Sequence, residues 1–271
     1  MKITFIGGGN MASALIGGLL QQGFNPGDIG VVEVNPDARA SLTRAFELKT
    51  YSHISAKAVQ ANLIVLAVKP QQLCVVAGEL RPLLRAQLVI SIAAGVGAQD
   101  LARWLGGYAR IVRAMPNTPA LVRAGVTGLY ALPEVSTAER GEAQRVMEAV
   151  GGCVWLADEG QMDAVTAVSG SGPAYVFYFI EALEAAAVEL GLTPQQGREL
   201  ALTTFLGAAQ LARTSHDDPA TLRAKVTSKG GTTERAIQAL EQSGVKALIQ
   251  GAVRAAAQRS HELGEELGKQ S

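Results

Sequence analysis

Short apolar runs alternate with helix-like stretches over roughly the first 157 residues, and this alternation constrains the fold most strongly. Seven runs have the composition of β-strands: "KITFIGG" at the start, then residues 29–34, 63–69, 88–94, 110–115, 126–131 and 153–157. Several of them are almost continuously apolar, as strands covered on both faces must be. Helical stretches, for example 71–84 and 136–150, lie between the runs. The pattern predicts a mostly parallel, doubly wound sheet.

The strand pattern disappears after about Asp158, and the rest of the chain reads as helices. Thr193 and Pro194 suit a helix N-cap and first turn, and residues 243–267 have the pattern of a long last helix. We therefore predict two domains, an α/β Rossmann-like domain over residues 1–158 and an all-α domain over residues 159–271.

Apolar and small residues occupy more than one helix face between residues 164 and 214. A helical domain of this size cannot bury so much apolar surface by itself. The sequence therefore predicts an obligate dimer that forms through the helical half.

Charge and cysteine usage exclude several classes of function. Lys plus Arg and Asp plus Glu number 24 each, a balance that argues against nucleic acid and anionic membranes as partners. Cys74, Cys153 and three scattered histidines have no metal-site spacing, so we expect no metal. The apolar N-terminus imitates an export signal, but Asn10 and three consecutive glycines interrupt it. We expect a protein of a reducing compartment whose partner is a small molecule or a second copy of the chain.

A glycine motif follows the first apolar run. Gly7-x-Gly9-x-x-Ala12 stands between a predicted strand and a predicted helix, and Glu33 follows Gly9 by 24 residues. A tight glycine turn lets backbone N–H groups approach a pyrophosphate, whose charge the helix N-terminus favours. The motif and its place in the chain predict dinucleotide binding.

The sequence leaves the type of nicotinamide cofactor open. An acid at the end of the second strand, as Glu33 is expected to be, bonds the ribose 2′-hydroxyl and favours NAD. Asn35 and Pro36 instead look like the cap and first residue of a helix that could accept a 2′-phosphate, with Arg39 one turn further on. Three more segments, 67–71, 91–95 and 115–119, follow predicted strands and should lie at the same ligand-binding edge.

The stretch "SKGGTT" at residues 228–233 interrupts the helical half and has two readings. It is either a connector in which the Thr232 or Thr233 hydroxyl caps the next helix, or a loop whose backbone N–H groups bind an anion. The stretch "SGSGP" at residues 169–173 poses the same choice between a helix entrance and a ligand site.

These pieces together resemble the pyrroline-5-carboxylate reductase family along the whole chain. The matching segments are "IGGGNMA", "LAVKPQ", "SIAAG", "RAMPNTPA", "DAVTAVSGSGPAYVF" and "PATLRAKVTSKGGTTERAIQALE". The resemblance implies reduction of the cyclic imine pyrroline-5-carboxylate to proline in the cytoplasm. It favours NADPH, and we expect NADH to be accepted as well. It also implies a homodimer joined through the helical domain, and beyond this a decamer of five dimers.

The motifs described above and the resemblance together give the expected site residues. The expected cofactor contacts are Ile6, Gly7, Gly8, Gly9, Asn10, Met11, Glu33, Asn35, Ala67, Val68, Lys69, Pro70, Ile92, Ala93, Ala94 and Asn117. The expected substrate contacts are Ser171, Gly172, Ser228, Gly230, Gly231 and Thr232. Thr233 is expected to be catalytic because the resemblance places its hydroxyl beside the ring nitrogen, whereas Thr232 is expected to cap the helix.

Two positions depart from the family pattern. Many relatives have Pro where this chain has Lys229, which alters the charge of the loop. Many have a neutral or basic residue where Glu33 stands, which weakens the expected preference for NADPH.

Two other functions fit the same two-domain plan. A β-hydroxyacid dehydrogenase would need a lysine general acid early in the helical domain, and the helix beginning at "SGSGPAYVF" offers none. A non-catalytic protein that senses a dinucleotide is the second alternative.

Overall fold

The computed structural model describes residues 1–269 and contains eight strands and eleven α-helices over that range. The strands are β1 (Ile3–Ile6), β2 (Ile29–Val32), β3 (Lys49–Tyr51), β4 (Leu63–Leu66), β5 (Leu88–Ser91), β6 (Ile111–Met115), β7 (Gly125–Ala131) and β8 (Gly151–Trp155). The helices are α1 (Asn10–Gln21), α2 (Pro36–Phe46), α3 (Pro70–Leu80), α4 (Ala98–Trp104), α5 (Thr137–Met147), α6 (Gln161–Val165), α7 (Gly172–Glu189), α8 (Pro194–Thr214), α9 (Pro219–Lys225), α10 (Thr232–Gln242) and α11 (Val245–Gly268).

The eight strands form a single sheet in the order β3-β2-β1-β4-β5-β6-β7-β8. Neighbouring strands of the described residues run parallel, except that β7 is antiparallel to β6. This confirms the predicted doubly wound, mostly parallel sheet. The order reverses between β1 and β4, and such a reversal opens a crevice at the carboxyl ends of the strands.

Both faces of the sheet are covered, which explains the continuously apolar strands. Successive residues of β4 point to opposite faces, so Val65 belongs to one buried cluster and Ile64 to the other. Helices α1 and α5 contribute to the first cluster, for example through Leu15, and α3 and α4 contribute to the second, for example through Leu73. The sheet is therefore the rigid platform on which the strand-end loops are held.

Helix α5 shows how a local sequence signal fixes an element. Ser136 and Glu139 form a capping box, in which each side chain accepts from the other residue's backbone N–H. Glu139 Oε1 also accepts from Arg110 Nε at 2.7 Å. Burial raises the pKa of Glu139, but the hydrogen bonds from Ser136 and Arg110 outweigh it, so the pKa lies below its usual value.

The contacts divide the chain into two compact units, and the division differs from the one at residue 158 that the sequence suggested. The first unit contains Met1–Ser171 and the chain from Ala256 onward, and the second contains Gly172–Ala255. The end of α11 joins the first unit because Leu267 is buried in its core and Ser260 Oγ donates to Asp163 Oδ1 at 2.7 Å.

The second unit is all helical, and α7 and α8 pack closely. A Cβ placed on the buried Gly197 of α8 would lie 3.0 Å from the Cβ of Ala187, so glycine permits the close approach. The unit nevertheless leaves many apolar side chains uncovered: Phe177, Leu206 and Leu248 are 59%, 69% and 68% exposed. So many exposed apolar side chains are typical of a surface that another protein chain covers.

Within residues 1–269, no helix combines the length and the apolar character needed to cross a membrane.

Candidate active site

The loop between β1 and α1 has a backbone that requires glycine. Gly7 has φ +100°, and a Cβ on it would lie 2.5 Å from the carbonyl oxygen of Ala67. The loop therefore packs directly on the segment after β4, where the strand order reverses. Gly9 is the N-cap of α1, no side chain caps this helix, and a Cβ on Gly9 would meet nothing within 4 Å. Open helix-start amides of this kind suit a pyrophosphate.

Glu33 lies directly after β2, and its carboxylate joins two backbone segments. Oε2 accepts from the Gly8 N–H at 2.9 Å, and Oε1 accepts from the Asn35 N–H at 2.9 Å. The Gly8 amide is thus already bonded within the protein, as is the Gly7 amide, which donates to the Val32 carbonyl at 2.8 Å. The carboxylate also places a negative charge at the start of α2.

The start of α2 has the predicted cap. The Asn35 side chain accepts from the N–H groups of Asp37 and Ala38, and Pro36 occupies the first turn. Arg39 Nη1 donates to the carbonyl oxygen of Glu33 at 2.7 Å, which holds a guanidinium beside this helix start. The Glu33 carboxylate and the Arg39 guanidinium therefore lie at the same helix start, where the sequence left the choice between NAD and NADP open.

The remaining expected cofactor residues lie along the same edge of the sheet. Strands β1, β2, β4, β5 and β6 all run in one direction, so the residues that follow them share this edge. The residues placed here are Ile6, Gly7, Gly8, Gly9, Asn10 and Met11 at β1 and α1, Ala67, Val68, Lys69 and Pro70 after β4, Ile92, Ala93 and Ala94 after β5, and Asn117 after β6.

Asn117 uses both ends of its side-chain amide within the protein. Its Oδ1 accepts from the Val126 N–H at 2.9 Å, and its Nδ2 donates to the Ser169 carbonyl at 3.1 Å. The side chain is 9% exposed. Asn117 therefore holds the "SGSG" segment in place, a role that the sequence did not reveal.

The first two residues of that segment belong to a π-helical turn, Thr166–Gly170, between α6 and α7. The Ser171 N–H donates to the Thr166 carbonyl at 2.8 Å, and Ser169 Oγ donates to the Val165 carbonyl at 2.9 Å. Turns of this type are rare in proteins, and many of those that occur lie at functional sites. The sequence predicted a helix entrance or a ligand site here, and it gave no sign of the π turn.

In the second unit, Gly172 begins α7. A Cβ on Gly172 would meet nothing within 4 Å, so open space lies beside this residue. Ser171, the last residue of the first unit, precedes it.

Residues 228–233 form the loop that leads into α10, and each of its two glycines is required for a different reason. Gly230 has φ +75°, and a Cβ on Gly231 would lie 2.6 Å from Ser228 Oγ. The Gly231 N–H donates to the Ser228 carbonyl at 3.0 Å. The Gly230 N–H donates to Glu234 Oε2 at 2.7 Å. Two of the four amides expected to face a ligand are therefore bonded inside the loop.

The expectation that Thr232 caps α10 is wrong. Gly231 is the N-cap in an extended conformation, Thr232 is the first helical residue, and no side chain forms a cap bond. The loop instead closes through Glu234, whose carboxylate reaches back by one turn. Among the described residues, the Ser228 and Thr232 amides and the Thr233 hydroxyl have no bonded partner in the protein.

Comparison with known proteins identifies the family. Residues 159–263 match the family model for pyrroline-5-carboxylate reductase dimerisation, and residues 2–95 match a model described as NADP oxidoreductase, coenzyme F420-dependent. The chain is 46% identical to the pyrroline-5-carboxylate reductase of Pseudomonas aeruginosa over 269 aligned residues. The alignment covers 99% of this chain and 98% of that protein. The chain belongs to the pyrroline-5-carboxylate reductase family.

Solved structures of pyrroline-5-carboxylate reductases have the same fold. The enzyme of Coxiella burnetii is 43% identical, with a TM-score of 0.93 over 97% of this chain and 98% of that one. The pyrroline carboxylate reductase of Plasmodium falciparum, solved with NADP bound, is 29% identical, with a TM-score of 0.86 over 97% and 98% of the two chains. In this member of the family, sequence reasoning missed Glu234, although an acid three residues after a glycine N-cap is a recognisable signal.

Proposed function

We propose that this protein reduces 1-pyrroline-5-carboxylate to L-proline with NADPH, as an oxidoreductase acting on a C=N bond in the last step of proline biosynthesis. The observation that carries the proposal is the 46% identity, over 99% of the chain, to a protein named for this activity. Two glycine loops that each lead into a helix N-terminus support it, because the reaction involves two anionic ligands.

NADPH supplies the hydride when it is bound. The open amides at Gly9 and the start of α1 would hold its pyrophosphate, and the close packing of Gly7 on Ala67 fixes the loop that presents them. The Arg39 guanidinium would bind the 2′-phosphate of NADPH. Glu33 would accept from a 2′-hydroxyl, which is why we propose that NADH is accepted as well.

The loop before α10 would hold the substrate carboxylate. The Thr232 amide belongs to the first turn of α10, whose partial positive charge favours an anion, and the Ser228 amide lies in the loop that leads into this turn; neither is bonded within the described residues. Gly230 and Gly231 shape the loop, and Ser171 and Gly172 would line the substrate pocket.

The ring nitrogen must be protonated by the end of the reaction, and Thr233 would position or supply this proton. Its hydroxyl has no partner among the described residues, so it is available to a ligand. A hydroxyl that donates as the hydride arrives stabilises the developing charge on the nitrogen.

We further propose a homodimer that forms through the second unit, assembling as a decamer of five dimers in the cytoplasm. The uncovered apolar side chains of α7 and α8 and the match to a dimerisation model support the dimer.

The test is a spectrophotometric assay of NADPH oxidation by the purified protein with pyrroline-5-carboxylate, and chromatographic detection of proline. Turnover of this imine with NADPH, together with no reduction of NADP⁺ or NAD⁺ by β-hydroxyacids, would separate the proposal from the β-hydroxyacid dehydrogenase alternative. Binding of NADPH without turnover of any imine would refute the proposal and favour the dinucleotide-sensing alternative.

Burial raises the pKa of the Cys153 thiol to about 11, and the nearby Glu148 carboxylate adds to the rise. Alkylation of this residue should therefore be slow at neutral pH and is not expected to explain a loss of activity.

A further inference from the structure

The amino ends of β1, β2 and β3 border a cavity away from the proposed cofactor site. The cavity has a volume of about 500 Å³, and its lining includes Lys2, Gly30 and Lys49. The three strands run parallel, so their amino ends lie at one edge of the sheet and their carboxyl ends at the other. The glycine loop and Glu33 follow the carboxyl ends. The cavity is therefore a separate site in the first unit, at the opposite edge.

This cavity remains because no helix covers the sheet here. Parallel strands are usually joined by a helix that crosses the sheet face, but residues 52–62, between β3 and β4, contain none. Ala58 of this loop joins the buried cluster that contains Ile6. The Thr4 hydroxyl holds the loop in place by donating to the Ala58 carbonyl at 2.8 Å. The loop thus covers part of this face of the sheet and leaves the face beside Gly30 open.

Gly30 lines the cavity from within β2. Glycine inside a strand weakens the strand and often marks a place where a ligand or another backbone comes close. The pairing of β2 with β1 is regular through Gly30, so the residue does not form a bulge. A Cβ here would lie 3.4 Å from Thr4 Oγ1 and from Tyr51 Cε2, which are ordinary contacts. The fold therefore tolerates a larger residue at this position, and glycine leaves room for a ligand.

The cavity carries an excess of positive charge. Lys2, Lys49 and Lys57 line it, and among the described residues their ammonium groups have no ion pair or hydrogen bond. Asp28 is the one acidic residue among those that line the cavity. Three lysines and one carboxylate give a net charge of about +2 in a cleft, and clefts lined by one sign of charge concentrate ions of the opposite sign.

We propose that this cavity binds a small phosphate-bearing anion, either inorganic or part of an organic molecule. A phosphate group that carries one ester bond has a charge of about −1.5 to −2 at pH 7, which matches the charge of the cavity. Ammonium groups bind phosphate oxygens as point charges. The volume also lies within the roughly 300–1,000 Å³ typical of small-molecule sites.

The test is isothermal titration calorimetry with pyrophosphate and with ADP. The protein is saturated with NADPH, which keeps both probes out of the cofactor site. The wild type should bind each probe with an affinity that falls as the ionic strength rises. Tighter binding of ADP would show that the cavity accepts the organic group, and equal binding would show that it recognises the phosphates alone; either result supports the proposal.

Substitution of the lysines tests the electrostatic part of the proposal. Lys49→Gln should weaken the binding of pyrophosphate about 3- to 5-fold, the upper range for one exposed ion pair. The triple variant that also carries Lys2→Gln and Lys57→Gln should weaken it about 30- to 100-fold. Lys246→Gln is the matched control, because it removes the same charge from an exposed position of α11, and it should leave the affinity unchanged.

Gly30→Ala tests whether the anion lies inside the cavity. The added methyl group should weaken the binding of pyrophosphate about 5-fold or more, as overpacking of a filled site does. The melting temperature without ligand should stay equal or rise, because alanine has less conformational entropy to lose in a strand. This second measurement separates a filled cavity from a damaged sheet.

Three results would overturn the inference. The first is a wild type that binds neither probe, and the second is binding that survives in the triple lysine variant, which would place the anion elsewhere on the protein. The third is a loss in the lysine variants with full binding in Gly30→Ala, which would place the anion on the outer surface instead of inside the cavity. None of these titrations uses the imine, so a failure of the proposed function would leave their outcome unaffected.

Discussion

Replacement of Glu33 by Gln separates two roles that the structure gives to one carboxylate. The carboxylate accepts from the N–H groups of Gly8 and Asn35, each at 2.9 Å, and it puts a negative charge beside the start of α2. Glutamine keeps a single oxygen acceptor, so one of these bonds is lost together with the charge. A hydrogen bond to a charged group is worth about 1.5–3 kcal/mol, and partial exposure of Glu33 places the expected loss at the lower end.

The ratio of kcat/KM for NADPH to that for NADH isolates the effect of the charge. Both cofactors would use the same glycine loop, so a looser Gly8 amide weakens both and cancels in the ratio. Loss of the negative charge favours only the cofactor with a 2′-phosphate. We expect the ratio to rise about 10-fold in Glu33→Gln, which corresponds to about 1.4 kcal/mol.

Steady-state kinetics with each cofactor, at one ionic strength, measure the ratio. Arg39→Gln is the matched control, because it removes a positive charge from the same helix start. It should lower the ratio of kcat/KM for NADPH to that for NADH, since the Arg39 guanidinium would no longer attract the 2′-phosphate. An unchanged ratio in Glu33→Gln and in Glu33→Ser, with both cofactors equally weakened, would show that Glu33 only braces the loop. The proposed placement of the ribose would then be refuted.

Three further substitutions test the site and the fold. Thr233→Val should lower kcat/KM for the imine roughly 10- to 150-fold at an unchanged melting temperature, and a loss of activity only in proportion to stability would make Thr233 structural. Glu234→Ala removes the acceptor of the Gly230 N–H and should raise KM for the imine about 5-fold, whereas Glu234→Gln should restore most of the affinity. Glu139→Gln should lower the melting temperature at pH 7; because the folded pKa of Glu139 is depressed, thermal scans should show this difference shrinking as the pH falls below about 4.

Strands with a continuous apolar sequence could be predicted, whereas a very short strand and contacts between residues far apart in the chain could not. Helices pack on both faces of the sheet at β4, so the sequence of this strand shows no polar interruption. Strand β3, Lys49–Tyr51, was missed because a three-residue edge strand with a lysine has no such signal. The return of α11 to the first unit depends on contacts such as Ser260 with Asp163, which are 97 residues apart in sequence. No local pattern encodes a pairing at that distance.

Site residues were predictable where glycine motifs and strand ends coincide, and their bonding was not. The glycine motif after β1 located the loop because φ +100° at Gly7 demands glycine. The motif did not show that Glu33 would bond the Gly8 amide, since that depends on how β2 lies beside β1. Thr232 was expected to cap α10 from composition, but the cap is decided by the backbone at Gly231, which a local composition rule does not specify.

The two glycine loops share a design that suggests how each would be ready for its anion. In the first, Glu33 bonds the Gly8 amide ahead of α1; in the second, Glu234 bonds the Gly230 amide ahead of α10. Each internal carboxylate fixes a flexible glycine segment before a ligand arrives, which reduces the ordering cost of binding. Each also leaves the first amides of the helix open, where the macrodipole favours a negative charge. The carboxylate repels the incoming anion in return, so the arrangement helps binding only if the gain from a fixed loop exceeds that repulsion. Glu234→Gln keeps the single acceptor and removes the charge, so in the second loop it measures the repulsion apart from the fixing of the loop. Glu33→Gln also loses one of two bonds, so in the first loop only the ratio of the two cofactors separates the contributions.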